Sequence, residues 1–306
     1  MSRAGQPNET SGLLAGVAAF VTWGLVPLYW KLLSYVSATE ILAHRFVWTW
    51  LFMILLLSWQ TRWPEVMANV RSRRTAIFCA ASGVAIAINW FVFIWAVNAG
   101  HVLETSLGYY MTPLVNVIFG AVFLRERLTR LQLISVLLAA GAVGFLTFGL
   151  GKFPWIALTL CFSFGLYGLL RKVSGAAAIP GQFLETTVIL PIALVFLIWL
   201  GTKAQGHFGL SVSGSLLLAS TGIVTAVPLI WFAYAARNLP LTTLGFLQYL
   251  SPSCTFVLGI FVFHEPLRRA QLITFIVIWA ALAIFTADML ARWRTSKLIG
   301  LQPAEM

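Results

Sequence analysis

Ten apolar runs of roughly 20 residues each, parted by short charged or polar connections, limit this 306-residue chain more than any other feature. They fall near 11–33, 40–59, 75–98, 103–124, 129–150, 153–171, 180–201, 211–236, 241–263 and 268–290. In hydrocarbon every backbone N–H and C=O must be satisfied inside the protein, and a helix does this within one segment. Barrel strands need only about 9–11 alternating residues, so runs of this length predict helices. Composition agrees: 60% of residues are hydrophobic and 9% charged, against roughly 25% charged in a soluble domain. The expectation is an all-α polytopic membrane protein with ten transmembrane helices. The first run exceeds the ~7–15 apolar residues of a secretory signal and its pattern recurs mid-chain, so it is expected as a span of the mature protein.

A net charge of +11 would suggest nucleic acid on a soluble protein; on a membrane chain it marks the cytoplasmic loops, and no nucleic acid is expected. With the N-terminus inside, fourteen Lys and Arg fall on the cytoplasmic side. Five, Lys31, Lys152, Lys203, Arg268 and Arg269, fall outside, and Arg45 lies within the second span. Both tails, 1–10 and 291–306, are therefore expected in the cytoplasm. Cys79, Cys161 and Cys254 sit in separate apolar stretches with no CxxC and no His cluster beside them. They read as small buried hydrophobes, and neither a metal nor another cofactor is expected.

The chain repeats itself. At an offset of 139, Tyr110 meets Tyr249, Pro113 meets Pro252, Glu126 meets Glu265 and Gln132 meets Gln271. At 141, Gly24 meets Gly165 and Lys31 meets Lys172. Polar residues, Gly and Pro rarely keep register through chance apolar similarity. Five spans per unit is an odd number, so the second unit enters the membrane from the opposite side: an inverted repeat of 11–150 and 153–290, with a substrate site expected near the midplane. The outside position of Arg268 and Arg269 follows, since the loop around Glu265 is the inverted copy of the one around Glu126. Each glutamate is expected to pair with its arginine neighbour, Arg127 or Arg268.

The segments LRERL and FHEPL, which close the fourth and ninth spans, resemble the EamA family of the drug/metabolite transporter superfamily. So do WGLVPLYWK, EILAHR, ETSLGYYMTPL, SFGLYGLLRK and ETTVILP, and the resemblance covers about residues 12–290. It implies a multi-pass exporter of small solutes in the bacterial inner membrane.

Few ionisable groups lie inside the spans, where each costs about 2.5–3.5 kcal/mol and faces a cavity or a partner. Arg45 has two readings: an ion pair with Glu40 or Glu104, or a bidentate hold on a substrate carboxylate or phosphate. His44 and Glu185 are repeat-equivalent and belong to opposite faces, which suits an outer and an inner proton-sensitive gate better than a direct pair. Glu104 is a third gating or coupling candidate. Asn89, Trp90, Tyr109, Tyr110, Tyr167, Trp231, Gln248 and Tyr249 are expected, with Arg45, to line a cavity for amphipathic or aromatic solutes, cations included. Pro113 and Pro252 are candidate hinges. Gly12 with Gly16, and Gly141 with Gly144, are candidates for tight helix packing.

The expected function is a secondary transporter exporting small amphipathic metabolites, amino-acid-like compounds or drugs by alternating access. Proton coupling and facilitated diffusion both fit so few titratable groups. No phosphate-binding GxxxxGK[ST], no HExxH and no GxSxG occurs, so neither an ATP-driven pump in one chain nor an enzyme is expected. A membrane scaffold or sensor subunit without transport is the alternative, with an intramembrane enzyme ranked behind it. Lipid, a small solute and protons are the expected partners, with the chain acting as monomer or homodimer.

Overall fold

The computed structural model describes residues 9–123, 128–150, 153–238 and 247–299, and these are helical with no strand among them. The helices are α1 (Glu9–Leu32), α2 (Ala38–Trp59), α3 (Trp63–Arg71), α4 (Arg73–Asn98), α5 (Val102–Phe123), α6 (Arg130–Leu150), α7 (Trp155–Ser174), α8 (Ala178–Thr202), α9 (Val212–Asn238), α10 (Leu250–Val257) and α11 (Arg269–Ile299). A π-helical turn, Leu258–Val262, continues α10. Eight of them, all but α3, α7 and α10, are long and apolar enough to cross a bilayer. Helix α7 over Trp155–Arg171 and α10 with its π turn are shorter apolar helices. Glu126 and residues 241–246 of the ninth expected span lie outside the described residues.

One helix was not anticipated. The charged connection after α2 contains α3, nine residues opened by Pro64 in its first turn and an Arg62–Glu65 fork with both contacts at 2.7 Å. Ser72 then ends α3 and starts α4, its hydroxyl accepting from the Thr75 amide at 3.3 Å.

The most extensive helix pairs join the two halves of the chain: α4–α7, α5–α7, α1–α9, α1–α10, α2–α8, α2–α9, α4–α8, α5–α10 and α6–α11. Helix α7 thus leaves its own half to pack between α4 and α5, while α1 packs against α9 and α10. Two bundles result, α4–α5–α7 and α1–α9–α10, with α2 and α8 packed against each other alongside both.

Close backbone approach makes these seams, as expected where lipid removes the hydrophobic drive for helices to associate. A Cβ on Gly24 would lie 2.5 Å from Cys254 Cβ, and one on Gly165 would lie 2.9 Å from Val115 Cγ1. At Gly108 the Ala157 carbonyl comes within 2.8 Å, and at Gly83 the Glu185 carbonyl does the same. Among the described residues nothing lies within 4 Å of a Cβ built on Gly141 or Gly144, so neither makes the close approach seen at the other glycines.

Polar contacts close both ends. At one, Lys31 Nζ donates to Asn98 O (3.5 Å), and the Val102 and Leu103 amides donate to Glu265 at 2.6 and 2.9 Å. Glu265 therefore caps α5, where the unpaired amides and the helix dipole favour an anion, in place of the expected pairing with Arg268. Burial pushes its carboxyl above the ordinary range, against the pull of those two amides. At the other end Thr75 Oγ1 donates to Ser174 O (3.3 Å) and Thr129 Oγ1 to Asp288 Oδ2 (3.0 Å).

If the glycine contacts set the seams, Gly24→Ala and Gly165→Ala each cost about 1–3 kcal/mol by overpacking. Both variants should melt lower in detergent, while Gly141→Ala melts at or above the parent temperature. Equal melting of all three contradicts this packing.

Candidate functional site

Arg45 is the centre of the site. It lies in α2, only 7% exposed, its guanidinium carbon 3.7 Å from the Trp90 ring centroid on α4 and 5.3 Å from that of Trp30 on α1. It therefore bridges the two bundles. The phenols of Tyr29 and Tyr109 lie near enough to interact with it. Among the described residues no carboxylate comes within 4 Å of it.

Both expected ion pairs are replaced by others. Glu40 accepts from the His207 amide (2.6 Å) and contacts His207 Nδ1 (2.8 Å). Five residues apart on one helix, Glu40 and Arg45 point about 140° away from each other, so one carboxylate cannot serve both directions. Glu104 pairs with His101, three residues earlier, at 3.1 Å. Arg45 Nε, Trp30 Nε1 and, one turn along α2, Thr49 Oγ1 are buried without a hydrogen-bond partner. Two indole faces return about 0.5–2 kcal/mol to a buried cation, less than its insertion cost and with no acceptor for its N–H groups.

Asn89 and Tyr109 brace this cage from the α4–α5–α7 side. Asn89 Nδ2 donates to Leu160 O and Ser163 Oγ, both at 3.0 Å, and its Oδ1 accepts from Tyr109 Oη at 2.9 Å. Tyr29 Oη donates to Leu217 O and meets Ser220 Oγ at 2.9 Å, tying α1 to α9.

A second polar cluster forms where α4, α7 and α8 meet. Glu185 is fully buried, accepts from Ser82 Oγ at 2.6 Å and lies 3.4 Å from Arg171 Nη1, with the Tyr167 phenol beside it. Arg171 also donates to the Ala177 and Ala178 carbonyls at 3.4 and 3.3 Å. A Cβ on Gly181 would collide with this guanidinium, which accounts for the glycine there.

The remaining candidates lie apart from these clusters. His44 is buried, its ring stacked on Phe208 at 5.1 Å and its Nε2 without a partner. It makes no contact with Glu185. Beside it a cleft of about 320 Å³ is lined by Glu40, Leu197, Leu200, Gly206 and Phe208. Tyr110 stacks on Tyr249 (6.5 Å) and its hydroxyl meets Ser253 Oγ (2.6 Å), joining α5 to α10. Buried Pro252 offers its carbonyl to Ser106 Oγ at 2.8 Å, while Pro113 lies inside α5. Trp231 is exposed on α9 and Gln248 half-buried. Trp30 and Arg171 were missed, although the 141-residue offset makes them counterparts, a signal available in the sequence.

A family model described as the EamA-like transporter family matches residues 10–148. "Protein RarD" of Escherichia coli (strain K12) is 42% identical across 94% of this chain and 97% of its own length. The chain belongs to the EamA-like transporter family, as a RarD-type protein. "Uncharacterized transporter YojE" of Bacillus subtilis (strain 168) is 44% identical over 95% of this chain and 99% of that protein. "Chloramphenicol-sensitive protein RarD" of Pseudomonas aeruginosa is 32% identical over 95% and 96%. A solved crystal structure, 18% identical, covers 92% of this chain with a TM-score of 0.55, a likeness of fold. This RarD-type chain is thus a multi-pass membrane transporter, the role that its family and its relatives are named for.

Removing one partner of the buried Arg171–Glu185 pair strands the other charge, at about 3–5 kcal/mol. Arg171→Met should lower the melting temperature markedly, and the double variant Arg171→Met/Glu185→Gln should recover most of the loss. A double variant as unstable as the single one contradicts the pairing.

Proposed function

We propose that this chain is a secondary transporter moving small amphipathic solutes, whether metabolites, amino-acid-like compounds or drugs, outward across the bacterial inner membrane by alternating access. The observation that carries the reading is Arg45, a buried guanidinium held between indoles of two different bundles with no carboxylate opposite it. A membrane scaffold gains nothing from an uncompensated cation; a solute site does.

The architecture in this reading is a pair of inverted five-helix repeats, 11–150 and 153–290, with both termini cytoplasmic. Exchanging α1 with α7, α2 with α8, α4 with α9, α5 with α10 and α6 with α11 maps the main helix contacts onto themselves, which supports it. So do the matching clashes at Gly24 and Gly165 and the glutamine caps of Gln132 and Gln271 on the equivalent amides of Thr129 and Arg268. Tyr110 and Tyr249 are counterparts that touch, as residues on a pseudo-twofold axis do.

Alternating access then consists of the α4–α5–α7 bundle rocking against α1–α9–α10, exposing Arg45 to each side in turn. Pro113 and Pro252 supply bends in the two helices that meet at the seam. Glu185 is the proton carrier of the inner end: protonated, it releases Arg171. His44 and Glu104 belong to the outer end, which Glu265 and Lys31 hold shut. One chain contains a complete pathway in this reading.

Exchange from proteoliposomes loaded with a mixed metabolite pool, followed by mass spectrometry with and without a pH gradient, tests the proposal. Selective loss of one solute class is expected, cut at least tenfold by Arg45→Ala, with the gradient dependence lost in Glu185→Gln. No solute moving through folded protein overturns it.

A further inference from the structure

We infer that the solute is an organic monoanion, bound through a carboxylate on the Arg45 guanidinium. This narrows the transporter reading and rests on it.

The unmet groups of the cage are two N–H donors and a hydroxyl that can also donate. Arg45 Nε and Trp30 Nε1 are buried with no partner, and the Thr49 hydroxyl, four residues from Arg45 and so on the same face of α2, is unpaired as well. Its acceptors are already engaged. Asn89 Oδ1 takes the Tyr109 hydroxyl, and Tyr29 is spent on Leu217 and Ser220. An acceptor-rich ligand completes such a set; an ammonium does not.

Charge gives the same answer. The acidic side chains nearest in the fold are occupied: Glu40 by His207, Glu104 by His101, Glu185 by Arg171 and Ser82, and Glu265 by two backbone amides. The cage therefore has one fixed positive charge. A second cation is repelled, and the aromatic faces that would attract it are covered by Arg45 itself, 3.7 Å from the Trp90 ring centroid. In this reading the aromatic faces beside Arg45 serve the solute's apolar body rather than a cation. A zwitterion brings an ammonium whose nearest open carboxylate oxygen, Glu185 Oε2, belongs to a charge that already faces Arg171, and a dianion buries one charge without a counter-ion. In the other repeat the position of Arg45 is held by Thr186, whose hydroxyl is bonded to its own helix, so the anion site is single. A monocarboxylate with an apolar or planar body satisfies charge, donors and indole walls together.

The test is isothermal titration of the full chain in detergent micelles. The monocarboxylates are hexanoate, benzoate and indole-3-acetate; methyl benzoate, benzylamine, phenylalanine and phthalate are the neutral, cationic, zwitterionic and dianionic comparisons. At least one monocarboxylate should bind tenfold or more tightly than every comparison. Arg45→Met should lose that binding by tenfold or more while melting at or above the parent temperature, since it removes an uncompensated charge, and Arg45→Lys should keep part of it. Comparisons binding as well as the carboxylates, no monocarboxylate binding at all, or Arg45→Met binding undiminished each overturn the inference. Transport separates it from the broader reading. Neutral or cationic solutes moving equally well through Arg45→Met proteoliposomes overturn the inference and leave a transporter; carboxylates that bind but never move overturn the transporter reading instead.

Discussion

Hydrocarbon gives helices no reason to hide apolar side chains from their surroundings, so association depends on close backbone contact and on polar groups that must find partners. Everything else in this chain follows from where those two resources are spent. They are spent between the halves. Gly24 lets α1 approach α10, Gly165 lets α7 approach α5, and Gly83 lets α4 approach α8. Asn89 ties α4 to both α5 and α7, and Ser106 ties α5 to α10. Neither half has a sufficient set of contacts of its own, and the bundles that result each mix helices from both.

This interleaving explains how a charge is kept inside the membrane. Arg45 projects from α2 toward α1 and α4, which belong to different bundles, while Glu40 on the same helix faces the α8–α9 connection and is taken by His207. Helix geometry thus separates the arginine from the acid that sequence position sets beside it. Where α4, α7 and α8 meet, the protein offsets a buried charge the ordinary way, with Arg171 facing Glu185 Oε1 and the Ser82 hydroxyl donating to the same oxygen, while Oε2 has no hydrogen-bond partner. One site is electrically complete and the other is open. That asymmetry between the two polar clusters is the chemical content of the candidate site.

Much of the fold was legible because long apolar runs have few solutions in lipid, and the first eight spans read from the sequence agree with the described helices to within a few residues. The helix of the tenth span runs nine residues further, to Ile299, and the described helix of the ninth span starts at Leu250. The short helix α3 escaped, since nine residues of mixed polarity in a charged connection carry no membrane signal and are stabilised locally by the Arg62–Glu65 fork. Arg45 was legible as a costly residue; its partners were not. The Glu104–His101 pair was available from spacing alone. Glu40–His207 spans 167 residues and depends on how the α8–α9 connection folds back. Tyr110 and Tyr249 were legible as partners at the 139-residue offset; that their rings touch and join α5 to α10 was not.

The central claim is that the seam between the α4–α5–α7 and α1–α9–α10 bundles must open for a solute to pass. A short, reducible cross-linker between Lys31→Cys and Asn98→Cys, with Cys79, Cys161 and Cys254 replaced by Ala, tests it most directly, because these residues meet across that seam. The account predicts that solute exchange stops when the link forms and returns on reduction, while the same linker between Gly165→Cys and Val115→Cys, within one bundle, leaves exchange near the level of its own uncross-linked variant. Exchange that continues with the Lys31–Asn98 end locked would contradict it.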